Sequence, residues 1–152
     1  MSKTVCFTGH REVPGELLAE LNSRLDNMLE RLYSADFRTF ICGGAEGFDT
    51  LAALRVLALR ERRADVRLLL YLPYERVGSV AYRRVLAAAD GVEYVARRFG
   101  GGQTLERDRR MVDAADVCIA FYLNGRTGGT LYTVRYANRR GVPVVNIAPR
   151  GD

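Results

Sequence analysis

Thr127-Gly128-Gly129-Thr130 follows the apolar run Val117-Cys118-Ile119-Ala120-Phe121-Tyr122 and opens a helical stretch from Leu131 to Arg140, and its reading decides the fold. An apolar strand, a glycine pair and a helix start, in that order, is how α/β proteins build a phosphate site. Glycines let the backbone approach an anion, and the unpaired N–H groups of the first helical turn point at it. A nucleotide-like ligand is the expectation.

A second junction has the same grammar. Phe37-Arg38-Thr39-Phe40-Ile41-Cys42 reads as a strand, and Gly43-Gly44-Ala45-Glu46-Gly47-Phe48-Asp49 leads from it into an apolar-periodic run. A third special turn, Thr8-Gly9-His10-Arg11, follows the strand Thr4-Val5-Cys6-Phe7. Taken singly, a glycine pair at a strand end is equally well read as a tight turn; three such turns in one short chain favour a shared site.

Between these junctions strand and helix alternate. A helix opened by Pro14-Gly15-Glu16 runs to about Tyr33, with Leu17, Leu18, Leu21, Leu25, Met28, Leu29 and Leu32 forming one stripe. A second helix, near Gly47 to Arg62, is expected to turn Leu51, Leu54, Val56, Leu57 and Ala58 inward. Strand Val66–Leu72 is closed by Pro73; Ser79 to Ala89 reads as a helix, Gly91–Val95 as a short strand and Gln103 to Ala114 as a helix. Gly141 stops the last helix before a final strand, Val142–Ile147. Continuous apolar strands imply burial on both faces, so the expected architecture is an α/β, Rossmann-like three-layer sandwich on a mainly parallel sheet of about six strands. Ligands of such sheets bind at the strand carboxyl ends near the topological switch point, where all three special turns lie.

The chain of 152 residues, 48% hydrophobic, fits one domain over 1–152. No charged-then-apolar leader and no run of about 18 apolar residues is present, so a soluble, cytoplasmic protein without membrane contact is expected. Cys6, Cys42 and Cys118 sit in strands with no C-x-x-C spacing, and read as small core residues rather than nucleophiles or metal ligands; no metal is expected. The formal net charge is +5, and among the 23 basic residues Lys3 is the one lysine. Arginine's planar fork suits phosphate, but Arg24, Arg31, Arg55, Arg83 and Arg84 fall on polar helix faces, where solvation accounts for them. The balance permits nucleic-acid contact without demanding it, since no basic arm or arginine-aromatic interleaving occurs.

Candidate ligand residues follow from the turns. Thr8 and Gly9 offer hydroxyl and backbone donors, with His10 and Arg11 a ring and a permanent cation beside phosphate; a capped loop with a solvent-facing His10 is the plainer alternative. Gly43, Gly44 and Ala45 allow close approach, and Asp49 is placed to accept from a ribose hydroxyl, although an acid in a first helical turn is favoured by the dipole anyway. Tyr74, after Pro73, could stack on a base or serve as an ordinary strand-end aromatic. From Arg107-Asp108-Arg109-Arg110 one arginine, Arg107, is taken to reach an anion while the others face water. Gly128, Gly129 and Thr130 form the phosphate cradle.

These segments, with Met111-Val112-Asp113, Tyr132-Thr133-Val134 and Tyr136-Ala137, resemble the YpsA-like branch of the SLOG superfamily nearly end to end. The resemblance implies a Rossmann-like fold related to the DNA-processing protein DprA and the LONELY GUY phosphoribohydrolases. It also implies a role in sensing nucleotide-derived ligands in bacterial stress, defence or cell-envelope pathways, a contact from Phe48, and self-association. LONELY GUY enzymes carry a catalytic glutamate on the helix after the glycine motif; here Leu131, Tyr132, Thr133, Val134 and Arg135 follow Thr130. The reading is therefore a nucleotide-binding sensor or regulator with no cofactor beyond that ligand. The alternatives are a nucleotide N-glycosidase, with Glu46 or Asp49 as its acid, and a DprA-like single-stranded DNA binder.

Overall fold

The computed structural model describes residues 2–149. Six strands, β1 (Lys3–Gly9), β2 (Phe37–Cys42), β3 (Arg67–Leu72), β4 (Gly91–Tyr94), β5 (Val117–Phe121) and β6 (Val144–Asn146), alternate with five helices. The helices are α1 (Gly15–Ser34), α2 (Phe48–Arg62), α3 (Val80–Ala88), α4 (Gln103–Asp113) and α5 (Gly129–Arg140). Every strand pairs in parallel with its neighbours, in the order β4-β3-β2-β1-β5-β6. The chain steps outward from β1 to β4, then returns to the other side of β1 for β5 and β6. The β1/β5 boundary is the switch point, and it lies beside the Thr8 and Thr127 turns.

Two cores flank the sheet, as the three-layer expectation requires. On one side α1, α2 and α3 bury Leu21, Leu25, Val56 and Tyr82 against Phe7, Phe40 and Leu68. On the other, Met111 and Val112 of α4 and Ala137 of α5 close over Cys6, Ile41 and Cys118. All three cysteines are buried and unbridged, with Cys6 in register beside Cys118 on the adjacent strand. The buried stripe of α1 is Leu21, Leu25, Leu29 and Leu32, spaced by four, four and three residues.

Two packing expectations are corrected. The residues of α2 that face the sheet are Ala52, Ala53, Val56 and Leu59, while Leu51, Leu54 and Leu57 are half-buried. Alanines let this helix approach the strands closely, and the leucines pack at the edge of the same core. Strand β3 alternates: Leu68, Leu70 and Leu72 are buried, Leu69 and Tyr71 half-buried. Two helices cover that face of a six-stranded sheet, and β3 lies toward its margin. Helix α5 begins at Gly129, two residues before the expected Leu131, and β6 is shorter than the expected Val142–Ile147. Among the described residues no helix is long and apolar enough to cross a membrane.

Candidate functional site

The turns after β1, β2 and β5 meet at the carboxyl edge of the sheet around a pocket of about 360 Å³, lined among others by Thr8, Arg11, Asp49, Arg107, Asp108 and Thr130. A second lobe of about 230 Å³ continues toward β3 between Gly44, Glu46, Tyr74 and Arg76. The lobes share Arg11, Ala45, Thr104 and Arg107 as common wall, so they form one cleft. Its size falls in the roughly 300–1,000 Å³ range of small-molecule sites. A larger hollow of about 500 Å³ lies between the start of α1 and the ends of β5 and β6. There Asn146 already bonds the backbone N–H and C=O of Tyr122 at 3.1 and 2.9 Å, and among the described residues no buried charge faces it.

The first turns of α2, α4 and α5 all reach the 360 Å³ pocket, through Asp49, Thr104 with Leu105, and Gly129 with Thr130. Because a helix start carries about half a positive charge on its free N–H groups, three of them favour an anion. No side chain caps any of the three. At α5 the cap residue Gly128 has φ 117°, a left-handed backbone that favours glycine. A Cβ at Gly129 would meet only Asp108 Oδ2, at 4.0 Å. The space above the α5 N-terminus is therefore open.

The back wall is a buried charge cluster. Arg107, 5% exposed, donates from Nε to Asp108 Oδ1 at 2.6 Å and from Nη1 to the Gly43 carbonyl, tying α4 to the end of β2. Gly43 leaves room for this cluster: a Cβ there would stand 2.8 Å from Arg107 Nη1 and 2.9 Å from Asp49 Oδ2, so those side chains would have to shift. Asp49, 6% exposed, accepts a 3.4 Å bond from the Ala45 N–H on Oδ2, and its Oδ1 is buried with no partner. Burial pushes the Asp49 carboxyl up to about 7, with Arg107 opposing and Asp108 adding to the rise. Asp108 is raised by burial too, against the pull of Arg107.

Most of the residues expected at the site gather here, in different roles. Thr8, Gly9, His10, Arg11, Ala45, Asp49, Arg107, Gly129 and Thr130 border the 360 Å³ pocket, and Gly43, Gly44 and Tyr74 border the second lobe. Gly128 adjoins them as the cap. Phe48 is the exception: fully buried, it stacks on Phe121 at 5.6 Å inside the core. Gly9 serves that packing, since a Cβ there would overlap the Phe48 ring. His10 is not a solvent-facing turn residue. It is 9% exposed, and its Nε2 accepts from the Leu123 N–H at 2.9 Å, bracing the β5 loop. Burial, then Arg126, lowers its imidazole below the ordinary value, which keeps that nitrogen free to accept. Tyr74 meets Phe99 edge-on at 5.3 Å. Glu46 accepts from Ser79 Oγ at 2.9 Å and lies 3.4 Å from Arg76 Nη1, joining two loops.

Thr127, from the opening glycine stretch, also lines the pocket, as do Thr104 and Asp108, which the sequence did not mark as ligand residues. A signal existed for two: Thr104, Arg107, Asp108 and Met111 follow three- and four-residue spacing, which puts a charged pair on the inward stripe of α4. Arg109 and Arg110, on the other side of that helix, pair with Glu106 at 2.8 and 3.2 Å.

Among solved structures the chain is similar to DNA processing protein A from Helicobacter pylori, whose single-stranded DNA binding mode is described. The TM-score is 0.69 at 17% identity, over 93% of this chain and 63% of that one. It is also similar to the protein TM1055, with a TM-score of 0.61 at 20% identity, over 93% of this chain and 72% of that one. At such identities the likeness concerns the fold, and this chain spans about 63% of the length of the Helicobacter protein. No curated protein matches it in sequence. The model of the YspA SLOG family matches residues 14–142, a span that holds both glycine-pair junctions and the α4 charge cluster. By that match over most of its length, the chain belongs to the YspA SLOG family.

Proposed function

We propose that the cleft binds a nucleotide or nucleotide-derived small molecule, phosphate at the start of α5, and that the protein acts as a sensor or regulator. The observation that carries this reading is the uncapped α5 N-terminus with open space above Gly129, set among the starts of α2 and α4. Arg11, exposed on the wall shared by both lobes, supplies the accessible cation; Arg107 is largely occupied by Asp108 and Gly43. Gly129→Val should place a side chain where the anion sits while the strands stay paired. Calorimetry with a panel of nucleoside mono- and diphosphates and ADP-ribose is expected to show binding by the wild type and at least a tenfold loss in Gly129→Val. Arg11→Ala should weaken binding by about 1.5–3 kcal/mol, the usual worth of a hydrogen bond to a charged group, at unchanged melting temperature. Wild-type affinity in a folded Gly129→Val protein would show the assignment to be wrong.

The Helicobacter neighbour motivates a competing ligand, single-stranded DNA. Tight binding of an oligonucleotide whose affinity falls steeply with salt, and which displaces ADP-ribose, would favour that reading.

Hydrolysis of the glycosidic bond is not expected. Helix α5 offers no acid in its first turns, Glu46 is held below its ordinary value by Ser79 and Arg76 despite partial burial, and Asp49, although raised to about 7, is buried at the back wall. Chromatography of nucleoside monophosphates incubated with the protein should reveal no free base. Base release at about 1–10³ per second, abolished by Glu46→Gln or Asp49→Asn, would replace the sensor with an N-glycosidase.

A further inference from the structure

We propose that the second lobe of the cleft holds the ligand's nucleobase, which stacks in a corner formed by the rings of Tyr74 and Phe99. This rests on the binding reading above, gives the ligand an orientation along the cleft, and brings in Phe99, which no sequence motif marked.

The corner is built by two segments that run together beyond the sheet. After β3 and β4, the N–H groups of Val95 and Ala96 donate to the carbonyls of Leu72 and Pro73 at 2.9 and 3.2 Å, and the Glu75 N–H donates to the Arg97 carbonyl at 3.3 Å. Pro73 and Tyr74 line the lobe. Phe99 stands beside Tyr74, the ring centres 5.3 Å apart and the planes at 89°. Gln103 fixes the turn that carries Phe99: its side chain accepts from the Gly100 N–H at 2.6 Å and donates to the Arg98 carbonyl at 2.9 Å.

Two observations point to a planar ring as the guest. Phe99 is 77% exposed, the most exposed large apolar side chain among the described residues, and its contact with Tyr74 leaves most of the ring in water. A planar group laid flat on one of two perpendicular rings meets the other edge to face, and aromatic rings favour both arrangements. Every nucleobase has a face to stack. The second observation is charge. Arg76, the cation at the far end of this lobe, is occupied: Nη2 donates to the Gly44 carbonyl at 2.7 Å, Nη1 lies 3.4 Å from Glu46, and the guanidinium covers the Tyr82 ring at 4.0 Å. The anionic end is better served by the open start of α5 in the first lobe, and Arg11 stands on the wall between the two.

Calorimetry with ADP-ribose and with ribose 5-phosphate, which has no base, separates the two ends. Phe99→Ala and Tyr74→Ala should each weaken ADP-ribose by about tenfold, within the range that alanine substitution gives for base–aromatic stacking, and leave ribose 5-phosphate at wild-type affinity. Phe99→Tyr should keep both affinities. The chain contains no tryptophan, so Phe99→Trp places a single reporter at the corner, whose emission should be quenched by ADP-ribose and unmoved by ribose 5-phosphate. Unchanged ADP-ribose affinity in both alanine variants, an equal loss for the two ligands, or emission indifferent to ADP-ribose would overturn the proposal and leave the phosphate site standing. Loss of oligonucleotide binding in Phe99→Ala with ADP-ribose unaffected would overturn it too, assigning the corner to single-stranded DNA. If neither ADP-ribose nor ribose 5-phosphate binds the wild type, the proposal falls together with the reading on which it rests.

Discussion

Arg107→Met is expected to cost about 3–5 kcal/mol of stability near neutral pH, the usual price of leaving a buried charge without its partner. Arg107 is the main influence opposing the rise of Asp49, and it pairs with Asp108 at 2.6 Å inside the protein. Methionine keeps most of the aliphatic stem, so the loss reports the guanidinium rather than packing. The penalty should depend on pH. Without the cation both carboxyls rise further, and ionising them becomes more costly; as falling pH protonates them, the deficit should shrink toward the cost of the unpaired Gly43 carbonyl. Urea unfolding at pH 5 and pH 8 checks this. A deficit below about 1 kcal/mol, or one equal at the two pH values, would mean that the cluster does not hold the site together.

Asp49→Asn should raise stability at alkaline pH. Asp49 is buried, and that burial raises its folded carboxyl to about 7 against an ordinary 3.8. A raised acid stabilises the fold fully below its unfolded value, and that contribution is lost as pH climbs through the folded value. The window runs from about pH 4 to about pH 7, and the loss at its upper end is on the order of 4 kcal/mol. Asparagine has nearly the same shape and does not ionise. The variant should match the wild type near pH 4 and exceed it by several kcal/mol at pH 8, a difference that melting curves at the two pH values would register. A variant less stable than wild type at pH 8 would show that the ionised carboxylate is the form the fold prefers.

How much of this was legible in the sequence differs by level. Strand and helix order could be read because apolar runs such as Val117–Phe121 are bounded by turn residues, and the three special turns fell at strand carboxyl ends as a parallel sheet requires. The inward face of α2 could not. Leucines outnumber alanines on that helix, and only tertiary packing decides that Ala52 and Ala53 touch the sheet. At the site, the placement of Gly128, Gly129 and Thr130 at a helix start was legible from local chemistry, whereas the bond between His10 Nε2 and the Leu123 N–H was not, because it spans 113 positions of sequence. Phe48 was carried in with its motif, and packing against Phe121 withdrew it from the cleft. Asp108 was hidden in a charged run that reads as solvated until the helical spacing from Thr104 to Met111 is followed.

Amide chemical-shift mapping of the ¹⁵N-labelled protein titrated with ADP-ribose tests whether an anionic ligand group docks on the first turn of α5. The largest displacements are expected at the N–H groups of Gly129, Thr130 and Leu131, with smaller ones at Thr8 to Arg11 and Gly43 to Ala45. Displacements confined to the hollow between α1 and β6, or no displacement at the start of α5 at millimolar ligand, would contradict it.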